Sequence, residues 1–268
     1  MSLEVRRFGT SARQMVGLLS RGRPGARPRA SFLLCRPFGQ EGTRTASMYR
    51  VVADRLAREG STVLTFDYHG TGDSPGEEAD QTLADWSHDI EAAHRVLVEE
   101  IGAAVHWFGM GLACHAALKA AARMPDPPAH LVLWEPVLDG PDYVQRLFAS
   151  HRQELEHEYH LPWERLLRQG RVVEPALPGD VLGFAVGPAF AAEMQNLAPL
   201  PLAQAMRRGV RITCGVHEEH EARLAALTGA GLVSGKRIES RTNWMLSQAM
   251  GSAIVPPEVL PALNETCA

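Results

Sequence analysis

Few side chains in this sequence could serve as a nucleophile or as its base, and their spacing decides which could act together. Gly72-Asp73-Ser74-Pro75-Gly76 satisfies G-x-S-x-G, the spacing that sets a serine on a sharp turn between a strand and a helix, ready to attack a carbonyl. Such a serine needs the backbone N–H of the next residue to bind the developing oxyanion, and Pro75 has none. Glu77-Glu78-Ala79-Asp80 follows, an acidic stretch and not the opening of a helix packed on a sheet. Gly70-Thr71-Gly72 also lacks the third glycine and the immediate helix of a dinucleotide loop. Ser74 therefore reads as part of a structural turn.

The second place with the right spacing is Gly109-Met110-Gly111-Leu112-Ala113. Val105 to Phe108 before it is apolar, and Leu112 to Ala122 after it has the Ala-rich composition of a buried helix. The flanking positions are small, as close strand–helix packing requires, but the apex is Gly111, which carries nothing that can attack. Cys114, three residues further on, is the alternative nucleophile, with His115, His217 or His220 as its base. His217-Glu218-Glu219-His220 spaces its histidines three apart, so it is not the zinc motif H-E-x-x-H. His157, His160 and Glu164 fall at helical spacing, but Pro162 interrupts their face, and a solvated polar surface is the better reading. No metal and no cofactor is expected.

The elements that must position these residues alternate between apolar strands and amphipathic helices. Ala30 to Cys35 is a strand that runs into the loop Arg36 to Gly42, at the carboxyl end where doubly wound sheets collect their ligand contacts. Met48 to Arg58 is a helix stopped by Gly60, Ser61 to Tyr68 a strand, and Thr82 to Ile101 a helix with Asp85 in its first turn. His130 to Trp134 is a further strand, with Glu135 at its end. The rhythm stops between Leu138 and Arg208, where Tyr143 to Leu167 and Ala189 to Met206 look helical and Val172 to Pro188 is rich in Gly and Pro. It resumes with a strand at Gly209 to Val216, a helix running to Leu227, and a last strand within Gly235 to Ser240. This alternation predicts an α/β fold: a mainly parallel sheet with helices on both faces, a core of residues 1–137 and 209–268, and an insertion at 138–208. Arg21 to Pro28 is a turn-rich link.

Composition narrows the function. A chain of 268 residues, 45% of them hydrophobic, can bury one sizeable core. A net charge of -4 leaves no basic face for nucleic acid. No apolar run has the length of a signal peptide core or a membrane span, so a cytoplasmic protein is expected. Cys35, Cys114, Cys214 and Cys267 form no C-x-x-C pair and read as reduced thiols. The partners that remain are a small-molecule ligand or a partner protein, with self-association into a homo-oligomer left open.

Asp67-x-x-Gly70-x-Gly72-x-Ser74 after a strand, followed some forty residues later by the Gly109 to Ala113 turn, resembles the α/β-hydrolase superfamily. The stretches Arg36 to Glu41, Phe66-Asp67 and Leu133 to Gly140 are similar to divergent bacterial members encoded beside exosortase and exopolysaccharide genes, in the serine aminopeptidase-like lineage. The resemblance implies an α/β-hydrolase fold with residues 138–208 as a cap over the pocket. It implies that Gly111 stands at the nucleophile elbow, and that Phe38, Gly39 and Gln40 are candidate oxyanion donors. It gives Glu135, Glu218 or Glu219 the place of the triad acid, and puts the general base in the loop Arg241 to Leu246. That loop contains no histidine, nor does any residue after His220. With nucleophile and base both missing, the expectation is a non-catalytic binding module whose pocket includes Phe38, Met110, Gly111, Leu112 and Glu135. The alternative is an esterase, thioesterase or peptidase with a displaced nucleophile.

Overall fold

The computed structural model describes residues 2–22, 29–101, 104–172, 179–228, 233–245 and 255–267. The link at 21–28, the stretch at 172–188 and the loop at 241–246 lie partly outside these residues.

The chain opens with a hairpin, β1 (Ser2–Thr10) and β2 (Arg13–Arg21), and enters the core with β3 (Ser31–Cys35). Helices and strands then alternate: α1 (Gly39–Arg58), β4 (Thr62–Asp67), α2 (Leu83–Ile101), β5 (Val105–Met110), α3 (Ala113–Arg123) and β6 (His130–Trp134). An excursion away from the sheet follows, with α4 (Gly140–Tyr159), α5 (Trp163–Arg168), the short pair β7 (Asp180–Val181) and β8 (Phe184–Ala185), α6 (Pro188–Gln195) and α7 (Leu202–Arg207). The chain returns through β9 (Arg211–Val216), α8 (Glu218–Thr228), β10 (Ser234–Arg237) and α9 (Val259–Glu265). The eight-stranded sheet has the order β1-β2-β4-β3-β5-β6-β9-β10; the hairpin and the β2–β4 pair are antiparallel and the rest parallel.

The alternation of side chains along each central strand builds two cores. Leu33 and Cys35, Trp107, and Leu131 and Leu133 face α2 and α3, where Trp86, Ile90 and the alanines of α3 meet them. Phe32 and Leu34, Phe108 and Met110, and Val132 and Trp134 face the other way, onto Met48, Val52 and Leu56 of α1 and Val259 and Leu263 of α9. A parallel strand covered on both faces is a near-continuous apolar run, and β3 and β5 are buried at every position, with Ser31 and His106 their polar residues. Helix α2 starts at a Thr82 cap, whose hydroxyl accepts from Asp85 N and donates to Asp85 Oδ2.

Helix α1 begins nine residues before the expected Met48, so most of the Arg36 to Gly42 loop is its first turn. Gly39 sits at φ +53, and the N–H of Gly42 already donates to Phe38 O at 3.3 Å. In the excursion, the expected helix Tyr143 to Leu167 is two helices, because His160 adopts a left-handed conformation and Pro162 follows it. Helix α7 leaves the excursion and packs on α3 and β9.

Candidate active site

The turn at the end of β5 has the geometry its spacing predicts. Gly111 takes φ +58, Leu112 is already in the right-handed helical region, and α3 starts at Ala113. A left-handed residue between a strand and a helix reverses the chain sharply, and glycine adopts that conformation without a Cβ penalty. The turn is tied to the neighbouring strand by Gly111 N donating to Trp134 O at 3.1 Å.

A carboxylate faces the apex. A Cβ built on Gly111 would lie 3.4 Å from Oε2 of Glu41 and 3.4 Å from Pro37 Cβ, so Glu41 borders the space into which a nucleophile would project. Glu41 comes from the first turn of α1 and is partly buried. Tyr143 of α4, itself buried, donates its hydroxyl to Glu41 Oε2 at 2.8 Å. Burial pushes the Glu41 carboxyl up to about 7; the Tyr143 hydrogen bond opposes this, the charge of Glu135 adds to it and that of Arg146 opposes it.

Glu135 and His217 form the second half of the site. Glu135 follows β6 with φ +45, a left-handed conformation that costs a non-glycine residue on the order of 1–3 kcal/mol and that clusters at functional sites. Its N–H donates to Gly215 O at 2.9 Å, and its Oε2 lies 3.9 Å from His217 Nε2. The Glu135 carboxylate holds the His217 imidazole above its ordinary value, and Nδ1 of His217 lies 3.2 Å from Ile238 O. Both ring nitrogens of His217 thus have an acceptor beside them, Nδ1 the Ile238 carbonyl and Nε2 the Glu135 carboxylate.

Glu41, Glu135, His217 and His220 line one cavity of about 810 Å³, together with Asp142, Tyr143, Arg146, Ser150 and Gln153 of α4 and with Arg241 to Met245 after β10. Two of its charge pairs close on themselves, Arg146 with Asp142 at 2.9 Å and Arg241 with Glu219 at 3.0 Å. Glu41 makes no ion pair among the described residues.

The other residues singled out from sequence lie elsewhere. Cys114 is fully buried; its thiol donates to Gly109 O at 3.2 Å, and burial pushes it well above the usual thiol range. His115 is buried with Nε2 2.7 Å from Val137 O and is held down at about 4, chiefly by burial. Glu218 is exposed and faces Arg237 at 3.5 Å. Phe38, Met110 and Leu112 are buried in the core, Phe38 between Phe184, Phe190 and Trp86, and do not line this cavity. Gly39 and Gln40 form the start of α1. Glu41 and Tyr143, missed by sequence reasoning, take the place at the apex. The signal for Glu41 was an acidic residue shortly after Pro37-Phe38-Gly39, the position a helix N-terminus favours.

Residues 27–170, just over half of the chain, match the family described as Serine aminopeptidase, S33. No curated protein matches the sequence. Among solved structures, the chain is similar to Est1E from Butyrivibrio proteoclasticus, determined with ferulic acid bound, at 15% identity and TM-score 0.66 over 97% of this chain and 98% of that one. It is similar to the proline iminopeptidase of Mycobacterium smegmatis at 13% identity and TM-score 0.59, over 98% and 97% of the two chains. An alpha-beta serine hydrolase homologue from Coxiella burnetii aligns at 14% identity and TM-score 0.56, over 100% and 99%. Likenesses at these identities establish the fold.

Proposed function

The chain belongs to the serine aminopeptidase S33 family and has its α/β-hydrolase fold, and from that premise we propose that it is a non-catalytic member whose pocket binds a small molecule bearing a cationic amine. The observation that carries this reading is Glu41. Its carboxylate borders the space above Gly111 where an acyl carbonyl would have to arrive, and a negative charge there opposes an oxyanion instead of stabilising it. Among the described residues the same carboxylate makes no ion pair; the charge of Glu135 opposes its ionisation and that of Arg146 favours it. An ammonium group bound beside the two carboxylates would add the missing positive charge to a half-open site. On this reading residues 138–208 act as a cap, with α4 providing one wall of the pocket through Tyr143, Arg146 and Ser150. The protein then takes its place beside the exosortase and exopolysaccharide-associated branch that Arg36 to Glu41 and Leu133 to Gly140 resemble. Hydrolysis through Cys114 is the poorer reading, because a buried thiol held well above the usual range is a weak nucleophile.

Calorimetry with phenethylamine and n-butylamine against the matching alcohols tests the proposal. Binding of the amines alone is expected, tightening between pH 6 and 8 as Glu41 loses its proton on the order of pH 7, and lost in Glu41→Gln. Equal binding of amines and alcohols overturns the ligand class. Turnover of p-nitrophenyl esters, with saturable labelling of one residue by a fluorophosphonate or iodoacetamide, overturns the non-catalytic reading.

A further inference from the structure

The two edges of the sheet are built differently. At one end β10 is four residues long, exposed or half-buried, and carries Lys236 in an ion pair with Glu265. A short charged strand is a blunted edge. At the other end β1 runs for nine residues in unbroken register with β2, from Ser2↔Arg21 to Thr10↔Arg13, with no bulge and no proline. Its outer edge is unpaired among the described residues. One face of this hairpin also holds three of the five large apolar side chains that are most exposed among the described residues, Leu3 at 60%, Val5 at 64% and Leu18 at 42%. They rim a groove of about 770 Å³ between the sheet and α1, with Val16 and Val51 below them. A long flat edge beside exposed apolar side chains is a template for another strand.

The charges on β1 suit pairing with a second copy of the same strand in one register, the one that engages most of its residues without a like-charge contact. In a two-fold symmetric antiparallel pair of identical strands, one residue must face itself across the axis, and its neighbours then pair in fixed order. Centring on Glu4 sets Glu4 against Glu4, and centring on Arg6 or Arg7 sets arginine against arginine, each a like-charge contact that destabilises a sheet. Centring on Val5 sets Val5 against Val5, Leu3 against the aliphatic stem of Arg7 twice, and Glu4, which within its own chain already holds Arg6 at 2.8 Å and Arg21 at 3.6 Å, against Arg6 of the second copy twice. This register joins the apolar faces of the two copies. We propose that β1 is the contact edge of a homodimer, in which β1 of one copy pairs antiparallel with β1 of a second copy about Val5 and continues the sheet across the two-fold axis. The contact lies away from the cavity and is independent of what that cavity binds.

Sedimentation of the full chain over a range of concentrations, with charge reversals and cysteine pairing, tests the proposal. The parent is expected to dimerise. Glu4→Arg and Arg6→Glu should each weaken the dimer by roughly tenfold or more through two like-charge pairs, and the double change Glu4→Arg with Arg6→Glu should restore it. Val5→Cys should cross-link to itself on mild oxidation, because facing residues in an antiparallel pair bring their Cα atoms to about 4.5–5.5 Å. Leu3→Cys, set opposite Arg7, should stay reduced. Among the described native thiols Cys35, Cys114 and Cys214 are buried and Cys267 is half-buried, so the parent supplies the background. A parent that stays monomeric at every concentration overturns the proposal, and so does a double reversal that fails to restore a dimer lost in both single variants. A dimer indifferent to both reversals, with no cross-link through Val5→Cys, also overturns it, since the contact must then lie elsewhere.

Discussion

Two glycine-rich turns stand at the carboxyl ends of β4 and β5, the strands on either side of β3, and the one that contains the serine is the one whose polar groups are used up. In the turn after β4, Ser74 is 6% exposed and its hydroxyl is fully used, donating to Asp67 O at 2.7 Å and accepting from Val16 N at 2.9 Å. Around it Gly70 N donates to Pro75 O and Asp73 N to Asp67 Oδ2, while Arg36 holds the other oxygen of Asp67 at 2.7 Å. Asp89, completely buried, accepts from His69 N and from two nitrogens of Arg13, and so clamps the turn to the hairpin. The turn after β5 has no reactive atom at its apex, yet Glu41, 3.4 Å from where a Cβ on Gly111 would stand, lines a cavity together with other charged side chains. A polar group whose bonds are all made inside the protein is structure, whereas a carboxylate that makes no ion pair among the described residues and lines a cavity is available to a ligand.

The comparison breaks most readily at the clamp. Asp89→Ala leaves the N–H of His69 without its acceptor and Arg13 with Asp85 alone, at 3.3 Å, and removing one member of a buried ion pair costs at most about 3–5 kcal/mol. Urea denaturation should show that loss. Ser74→Ala removes two hydrogen bonds and orphans the N–H of Val16, for about 1–3 kcal/mol; denaturation should show it, while amine binding at the cavity stays at the parent value. A loss of binding there would mean that the two turns are coupled.

Gly111→Ser sharpens the contrast from the other side. Serine at φ +58 is strained by about 1–2 kcal/mol, and its Cβ would sit against Glu41 and Pro37. The variant should be less stable than the parent and no faster on p-nitrophenyl esters, since Glu41 obstructs the oxyanion side and His217 is already paired. Turnover well above the parent would show that Glu41 or His217 takes the serine proton.

The smallest effect is one of pH. The folded-state value of Glu41, raised to about 7 from the ordinary 4.5, means that its contribution to stability is whole below pH 4.5 and disappears as pH rises through 7. Glu41→Gln should therefore gain on the parent over that window and be the more stable at pH 8, by about 1 kcal/mol once the shift is discounted for the solvent that reaches the pocket. Denaturation of both proteins at pH 5 and pH 8 measures the difference. A parent that gains on the variant with rising pH would mean that Glu41 ionises with a partner already in place.

Much of the fold was legible because it depends on local pattern. The mostly apolar, fully buried runs of β3 and β5, the Thr82 cap and the Gly111 turn each follow from a few adjacent residues. The start of α1 was not legible, because Gly39, Gly42, Thr43 and Thr45 are poor helix formers whose segment is helical through packing and through bonds such as Thr45 Oγ1 to Glu41 O at 2.7 Å. The pocket residues assigned from the turn alone, Phe38, Met110 and Leu112, are apolar, and apolar side chains beside a turn go down into the core and leave the wall to polar ones.

The sequence by itself determined an α/β-hydrolase architecture, the sharp turn at Gly111 and the loss of the serine and histidine that such a turn ordinarily serves. Only the tertiary structure decided what replaces them. Glu41 and Tyr143 are 102 positions apart, Glu135 and His217 come from the ends of β6 and β9, and neither encounter leaves a periodic mark on the chain. Strand and helix patterns record how each segment meets the core, which is a local property. The charge state of a site depends on which distant side chains burial brings together, and that is settled only when the sheet closes and α4 lies over it.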